Sequence, residues 1–513
     1  MAESRTQNSV RNAQTATIFY FLNLILQFFS RKVFLEYLGS EVLGLNTTAQ
    51  NLLGFLNLAE LGIGTAVAYN LYKPLLNKDK RAVNDIVSIQ GWLYSKIAII
   101  VLLGALVLAC FFPAIFTKAE VPLWYAYGSF GVLLIGALLS YFINYKQIVL
   151  SADQKEYKIT YCAQGIKIIK ILLQILAVRF LSEGYLHWMI LEAVAAIITA
   201  YLLDRQVRKE YPWLQPNKKN GRLLRLDYPE ITRKTKQVFF HKIGGFVLTQ
   251  TTPLVIYAFA SLSLVAIYGN YMLIVTAVTA LMSALLNGIG ASVGNLVAEG
   301  NKEKIKSVFW ELTSFRMWLA LIFCFAFYML ADPFMILWIG AEYLLPKLPL
   351  TLITTTAFIQ MTRTNDIFLS AYGLYQDVWA PIVEASLNIG LSIILGYIFG
   401  LEGILSGVLI SLILIVCSWK PYFLYSRGFK DAFGEYLMKY GKLLLIMLIS
   451  SVMSSMIVDK ININSSSFFS LAVKAIIVII VIATVSTVFF IATDRNFKNF
   501  IKRIIISIIK NKL

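Results

Sequence analysis

Long apolar stretches, separated by short polar segments, run through almost the whole of this 513-residue chain. Stretches that approach 20 residues with few charges predict helices that cross a lipid bilayer. Only helices and closed barrels satisfy their backbone polar groups in lipid, and the period-2 alternation of barrel strands is not visible here. The pattern therefore predicts an all-α integral membrane protein.

The boundaries of the apolar stretches predict about fourteen transmembrane helices. They form two sets of six and a final pair. The predicted spans are 15–37, 42–72, 85–112, 123–150, 157–180 and 185–203, then 238–258, 264–297, 308–339, 348–372, 378–399 and 404–424, then 436–458 and 468–491. The corresponding segments are an N-terminal six-helix lobe (1–203), a basic linker (204–236), a C-terminal six-helix lobe (237–430), and two extra helices with a basic amphipathic tail (431–513).

An internal repeat relates the two sets of six. The motif GIGTAVAYN begins at Gly62 and GIGASVGN begins at Gly288, each in the second helix of its set. Leu-Ser-Ala ends the fourth helix of both sets, at 150–152 and 369–371. Because each set has an even number of helices, the two lobes face the same way and are pseudo-symmetric about the membrane normal. Such lobes can enclose a central cleft and rock to open it to either side.

Basic residues concentrate in alternate loops, although charged residues make up only 14% of the chain and hydrophobic residues 58%. The net charge of +18 comes largely from these loops. This alternation follows the positive-inside rule and places both termini and the linker in the cytoplasm, as in a multi-pass protein of a bacterial inner membrane. The basic excess indicates topology and contact with anionic membrane lipids, and no nucleic-acid partner is expected.

The cysteines and histidines give no sign of a metal site. The four cysteines lie in apolar segments without metal-ligand spacing, and there are only two histidines. We expect no cofactor and no metal. The polar, basic N-terminus lacks the features of a signal peptide, so the first apolar run is expected to be an uncleaved helix.

Several cations fall inside predicted spans, where a charge needs a partner or a hydrated cavity. A cavity with cationic walls suits a lipid pyrophosphate, whose charge cannot cross hydrocarbon unpaired. Two interpretations remain open for each cation, namely a substrate ligand in a central cavity and a structural ion pair or interfacial residue. The candidate substrate-binding residues are Arg31, Lys32, Lys167, Lys170 and Arg363.

Three intramembrane acids, Glu60, Asp366 and Glu384, also have two interpretations. A desolvated carboxyl group could couple transport to protons or sodium. The favoured interpretation is a cavity ion pair, Glu60 with Arg31 and Asp366 with Arg363.

Glycines and one proline inside the spans are expected to act in packing or as hinges. Gly62, Gly64, Gly288 and Gly290 lie in hydrophobic helices with no preceding strand, so a dinucleotide-binding loop is not indicated. Close helix packing or a bend suits them better, and Pro253 is expected to kink its helix.

The stretches FFSRKVFLEYLGSEVLGLN (28–46) and LLGFLNLAELGIGTAVAYNLYKPL (52–75) resemble one branch of the multidrug/oligosaccharidyl-lipid/polysaccharide (MOP) exporter superfamily. This branch contains the polysaccharide transporters, or oligosaccharide-lipid flippases. The resemblance implies alternating access, a charged cavity, and flipping of undecaprenyl-pyrophosphate-linked oligosaccharide units for O-antigen (lipopolysaccharide), capsule or exopolysaccharide. Polysaccharide-assembly proteins are then possible partners.

Three other functions compete with this one. A cation-coupled multidrug antiporter of the same superfamily would favour an acidic cavity, whereas the candidate lining here is cationic. A polysaccharide polymerase or glycosyltransferase would need a sizeable external loop or soluble domain, and the predicted external loops are short, so we do not expect an enzyme. A membrane scaffold that transports nothing remains open.

Overall fold

The computed structural model describes residues 5–60, 62–286, 289–374, 376–377, 379–461 and 465–510. Within these ranges every regular element is a helix. Short 3₁₀ turns occupy Asn57–Glu60, Asn144–Gln147, Lys218–Asn220 and Ala341–Tyr343, and π-helical turns occupy Ile413–Trp419 and Leu424–Phe429. The helices are α1 Arg5–Leu56, α2 Ile63–Leu76, α3 Lys80–Cys110, α4 Phe112–Ile115, α5 Leu123–Phe142, α6 Ile148–Ala152, α7 Glu156–Phe180, α8 Gly184–Glu210, α9 Gly221–Leu224, α10 Pro229–Phe259, α11 Leu262–Leu286, α12 Ile289–Ala298, α13 Lys302–Trp338, α14 Lys347–Met361, α15 Thr364–Ala371, α16 Trp379–Leu412, α17 Lys420–Phe423, α18 Phe433–Lys460, α19 Phe468–Thr493 and α20 Arg495–Lys510.

Ten helical segments in the described ranges are long and apolar enough to cross a bilayer. Large apolar side chains stay exposed on them, including Tyr397, Met438 and Phe469 at 82%, 74% and 81% of their surface. Exposure of this kind suits lipid and not water. The predicted all-α, multi-pass membrane fold is confirmed.

The ten segments are consistent with the predicted count of about fourteen spans. Gln7–Leu56 covers the predicted span 15–37 and the first part of 42–72, whose remainder includes the turn Asn57–Glu60 and most of α2. Trp379–Phe429 covers the predicted spans 378–399 and 404–424. Two further predicted spans correspond to α10 and to the pair α14 and α15, which is interrupted at Arg363.

Two long helical runs contain a glycine at the point where the sequence predicts separate spans. The backbone leaves the helical conformation at Gly39 (φ 82°) and at Gly400 (φ 58°), values that favour glycine. After Gly400 the chain folds back on itself and brings Gly403 close to Leu395. A β-carbon on Gly403 would lie only 1.9 Å from the carbonyl oxygen of Leu395. Glycine therefore permits the close backbone contact in this hairpin.

The fourth predicted span breaks at equivalent positions in the two repeats. α5 ends at Phe142 and α14 ends at Met361. These two residues have the same separation along the chain as the repeated serines Ser151 and Ser370. The helix resumes after a turn in both cases. The repeat found in the sequence thus extends to this interruption, which the apolar pattern did not predict.

The chain divides into two compact units, unit 1 (Met1–Ala266) and unit 2 (Ile267–Leu513). Unit 1 includes α10, which packs against α1 and α2. Gly62 lies so close to α10 that a β-carbon there would be 2.8 Å from the carbonyl oxygen of Thr235. The predicted segment boundaries at 203, 236 and 430 stay predictions.

Unit 2 has an aromatic core around α13. Phe309, Trp310 and Phe368 are buried there, and Phe309 and Phe368 pack edge to face with centroids 5.1 Å apart. The predicted basic amphipathic tail corresponds to α20, where Phe497 is fully buried. Arg503 lies 2.9 Å from the buried carboxylate of Glu311 on α13. In its described part this helix therefore packs against α13.

Candidate functional site

A cavity of about 370 Å³ lies within unit 1, between the end of α5, α7 and α8. Lys167 and Lys170 line it from α7, and Glu192 lines it from α8. Asn144 and Gln147 reach it from the 3₁₀ turn that interrupts the fourth predicted span. The two lysines share a wall because residues three apart lie on the same face of an α-helix.

Lys170 is neutralised inside this cavity. Its ammonium lies 2.7 and 2.8 Å from the two carboxylate oxygens of Glu192. Gln174 also donates to Glu192, at 3.0 Å, and to the Trp188 carbonyl, at 3.1 Å. Glu192 is thus held by two donors from α7, and this pair fixes α7 against α8.

Lys167 differs from Lys170, because among the described residues it has neither a hydrogen-bond nor an ion-pair partner. The side-chain oxygens of Asn144 and Gln147 are buried and also lack a partner within the described part of the chain. An ammonium can bind an anionic oxygen, and amide oxygens can accept from ligand hydroxyls. The cavity therefore offers one uncompensated positive charge beside free acceptors.

The other predicted cations do not join this cavity. Arg31 donates to the carbonyl of Ala266 at 3.3 Å, at the start of α11, and Lys32 is exposed on α1. Neither belongs to the described lining. Arg363 lies in unit 2. Of the five candidate substrate-binding cations, the structure thus brings Lys167 and Lys170 together.

Arg363 lies at the interruption between α14 and α15, in a network of charged groups. Its Nε is 2.6 Å from Asp366, and Lys420 is 2.9 Å from the other oxygen of the same carboxylate. Arg316 donates to the Met361 carbonyl at 2.8 Å. The predicted pairing of Asp366 with Arg363 is present.

The space inside this network is small. A cavity of about 10 Å³, room for about one water, lies beside Arg363 and Asp366. Glu384 is only 5% exposed, and its charge interacts with those of Arg363 and Lys420. These groups satisfy one another and leave little room for a head group.

Glu60 has a different partner from the predicted one. It ends the 3₁₀ turn between α1 and α2 and accepts a hydrogen bond from the Tyr94 hydroxyl at 2.8 Å. Nearby, Tyr141 donates to Asn57 at 2.8 Å. The expected Glu60–Arg31 ion pair is not among the contacts of the described residues; the hydrogen bond that Glu60 makes comes from Tyr94 on α3.

Of the predicted packing or hinge residues, Gly62 and Gly64 lie beside the turn that ends at Glu60. Gly62 precedes α2 in a left-handed conformation (φ 94°), and a β-carbon on Gly64 would lie 3.6 Å from the Tyr94 hydroxyl. Gly290 lies in α12, whereas Gly288 lies outside the described residues. Pro253 lies inside α10, which continues to Phe259.

Sequence reasoning missed Glu192, Lys420 and Arg316. All three are ionisable residues inside predicted spans. The rule that selected Lys167 and Asp366 would have found them too. Their partners on neighbouring helices, however, are fixed by packing and not by local sequence.

Fold and site together define a multi-pass helical membrane protein with ionisable groups at helix interruptions. No family model matches the chain, and no curated protein matches it. Among solved structures, the lipid II flippase MurJ in an inward closed conformation matches with a TM-score of 0.62 and 15% identity, over 93% of this chain and 99% of that chain. An inward-facing multidrug resistance MATE family transporter of the MOP superfamily matches with a TM-score of 0.60 and 13% identity, over 81% and 97%. The chain has the MOP transporter fold, and at these identities the likeness establishes nothing beyond the fold.

Proposed function

We propose that this protein is a flippase that moves undecaprenyl-pyrophosphate-linked oligosaccharide units to the outer leaflet, for O-antigen, capsule or exopolysaccharide synthesis. The observation that carries the proposal is Lys167, a cation without a partner among the described residues, in a cavity of about 370 Å³. The likeness in fold to a lipid II flippase supports the same class of substrate.

The chemistry of the cavity suits the two parts of such a substrate. A pyrophosphate would bind the Lys167 ammonium through a charge-assisted hydrogen bond, which is stronger than a neutral one. Sugar hydroxyls would donate to the free oxygens of Asn144 and Gln147. The polyprenyl tail would stay in the lipid while the lobes alternate their access.

The proposed orientation comes from the distribution of charge along the chain. Basic residues in alternate loops support an inner-membrane protein with cytoplasmic termini. The substrate would then bind from the cytoplasmic leaflet, where such units are assembled. Polysaccharide-assembly proteins are the partners this role implies.

Coupling to protons or sodium would use Glu60 in preference to Asp366. Asp366 is compensated by two cations, whereas Glu60 accepts from a neutral tyrosine at a helix interruption. The Glu60→Gln variant should keep its fold and lose any dependence of transport on a proton or sodium gradient. Unchanged dependence would remove Glu60 from the mechanism.

Transport in proteoliposomes tests the proposal. The full chain should move a lipid-linked oligosaccharide pyrophosphate across the bilayer and should not accumulate an organic cation such as ethidium. Ethidium transport without lipid transport would favour the multidrug antiporter, which the second solved structure keeps as an alternative. Transport of neither by folded protein would favour a scaffold.

A further inference from the structure

A second cavity of unit 1, of about 380 Å³, lies between the end of α5, the 3₁₀ turn that follows it, α8 and the linker. Its lining includes Lys146 from the 3₁₀ turn, Asp204 and Arg208 from the last turns of α8, and Lys218 from the linker. Charge patterning predicts this end of the helices to be cytoplasmic. None of these residues lines the cavity that holds Lys167.

The polar half of this cavity carries an excess of positive charge. Arg208 lies 2.6 Å from the Asp204 carboxylate, and Lys146 lies 3.6 Å from it. With Lys218, the lining therefore holds three cations and one anion. The uncompensated charge lies on the side of Lys146 and Lys218.

Lys218 is held in place by groups that do not neutralise it. Its ammonium donates to the Phe142 carbonyl at 2.8 Å and lies 4.5 Å from the centre of the Tyr145 ring. Burial, and then the charge of Lys146, lower the pKa of Lys218. An anion beside both lysines would relieve this repulsion.

The other half of the cavity is apolar and open to the surroundings of the helices. Phe142, Ile197 and Tyr201 line it, with exposed fractions of 42%, 53% and 64%. They belong to α5 and α8, two helices that can cross a bilayer. A ligand here can therefore contact cations at one end and lie against a lipid-facing surface at the other.

We propose that this cavity binds the phosphate of an anionic phospholipid of the surrounding membrane, with an acyl chain along Ile197 and Tyr201. A free phosphate would use the cations and leave the apolar half unoccupied. A zwitterionic lipid would bring its own positive charge to a site that has a surplus. This lipid site does not depend on what the protein transports.

The test measures lipids retained by the full chain. Protein in nanodiscs of mixed phosphatidylglycerol and phosphatidylcholine is released and its bound lipids are counted by native mass spectrometry. Wild type should retain phosphatidylglycerol in preference. Lys146→Gln/Lys218→Gln should reduce that retention by about thirtyfold, because each of the two basic groups contributes about 1 kcal/mol at the membrane surface. Arg208 remains to compensate Asp204 in this variant.

The matched control removes two charges next to the cavity. Lys209→Gln/Lys219→Gln alters exposed lysines outside the lining and should retain phosphatidylglycerol like wild type. Equal loss in both double variants would overturn the proposal in favour of general surface attraction. Displacement of the lipid by millimolar inorganic phosphate would assign the site to a free anion.

A second variant covers the case in which the double variant does not fold. Tyr201→Ala changes only the exposed apolar half and should lower retention of phosphatidylglycerol. Because this side chain is exposed, folding should survive. Unchanged retention in Tyr201→Ala would contradict the acyl-chain part of the proposal.

Discussion

Units 1 and 2 place different chemistry at the same point of the repeat. The separation that relates Ser151 to Ser370 also relates Asn144 to Arg363 and Gln147 to Asp366. In unit 1 this interruption presents amides to a cavity of about 370 Å³. In unit 2 the same interruption carries an ion-pair network around about 10 Å³.

This difference shows why an intramembrane cation is not by itself a binding site. Arg363 and Lys420 share the carboxylate of Asp366, so their charges are used within the protein. In unit 1, the carboxylate of Glu192 forms its ion pair with Lys170 and not with Lys167. The charge of Lys167 therefore stays available to a ligand.

The largest expected effect is on the stability of unit 2. Asp366→Asn leaves Arg363 and Lys420 without their shared partner and should lower the free energy of unfolding by about 2 kcal/mol. The measurement is thermal unfolding in detergent. Asp366→Asn/Lys420→Met should recover part of the loss, because one uncompensated cation is removed. Full stability of Asp366→Asn would mean that the network is not structural.

Lys167→Ala should have the next largest effect, on transport. The loss of one charge-assisted hydrogen bond predicts a fall of at least about tenfold in initial rate of lipid translocation. Arg179→Gln is the control, since it removes an exposed cation from the end of the same helix. Equal rates for Lys167→Ala and wild type would contradict the claim that the cation of unit 1, unlike those of unit 2, binds the substrate.

Glu192→Gln sharpens the contrast by freeing Lys170. Affinity for a lipid pyrophosphate should rise by about threefold to fivefold, because a second ammonium becomes available. The melting temperature should fall, since the link between α7 and α8 is weakened. Titration of purified protein with the lipid measures the affinity. A weaker affinity would indicate that Glu192 itself contacts the substrate.

The smallest effect concerns a surface cluster of unit 1, outside the cavity. Burial would lower the pKa of Lys155, but hydrogen bonds to Asp153 and Glu210 and their charges outweigh it and raise that pKa. The folded state then holds this proton more tightly. The stability it adds is present below about pH 10.4, the unperturbed value, and is lost as pH rises through the folded pKa.

Thermal unfolding in detergent between about pH 8 and pH 11 tests whether this stability is lost as the pH rises. Lys155→Met should be less stable than wild type near the lower pH, and the difference in stability should shrink near the upper pH. Lys209→Met, which alters an exposed lysine, should follow wild type throughout. A Lys155→Met curve parallel to wild type would contradict the assigned shift.

The hydrophobic pattern predicted most of the fold and little of the site. It separated spans at 37–42 and 399–404, where Gly39 and Gly400 turn the backbone. It missed the interruption at Asn144–Gln147, because the apolar run resumes at Ile148 and a few polar residues inside a long apolar stretch are also compatible with one continuous helix. The burial cost of charge identified Lys167 and Arg363, but whether a cation has a partner depends on helices distant in sequence.

The most direct test of the account is to map where the head group binds. A photoreactive undecaprenyl-pyrophosphate oligosaccharide would be crosslinked to the full chain in proteoliposomes, and the labelled peptides identified by mass spectrometry. We predict labelling of α7, α8 and the turn Asn144–Gln147, greatly reduced in Lys167→Ala. Labelling confined to unit 2, or labelling unchanged in Lys167→Ala, would contradict the central claim.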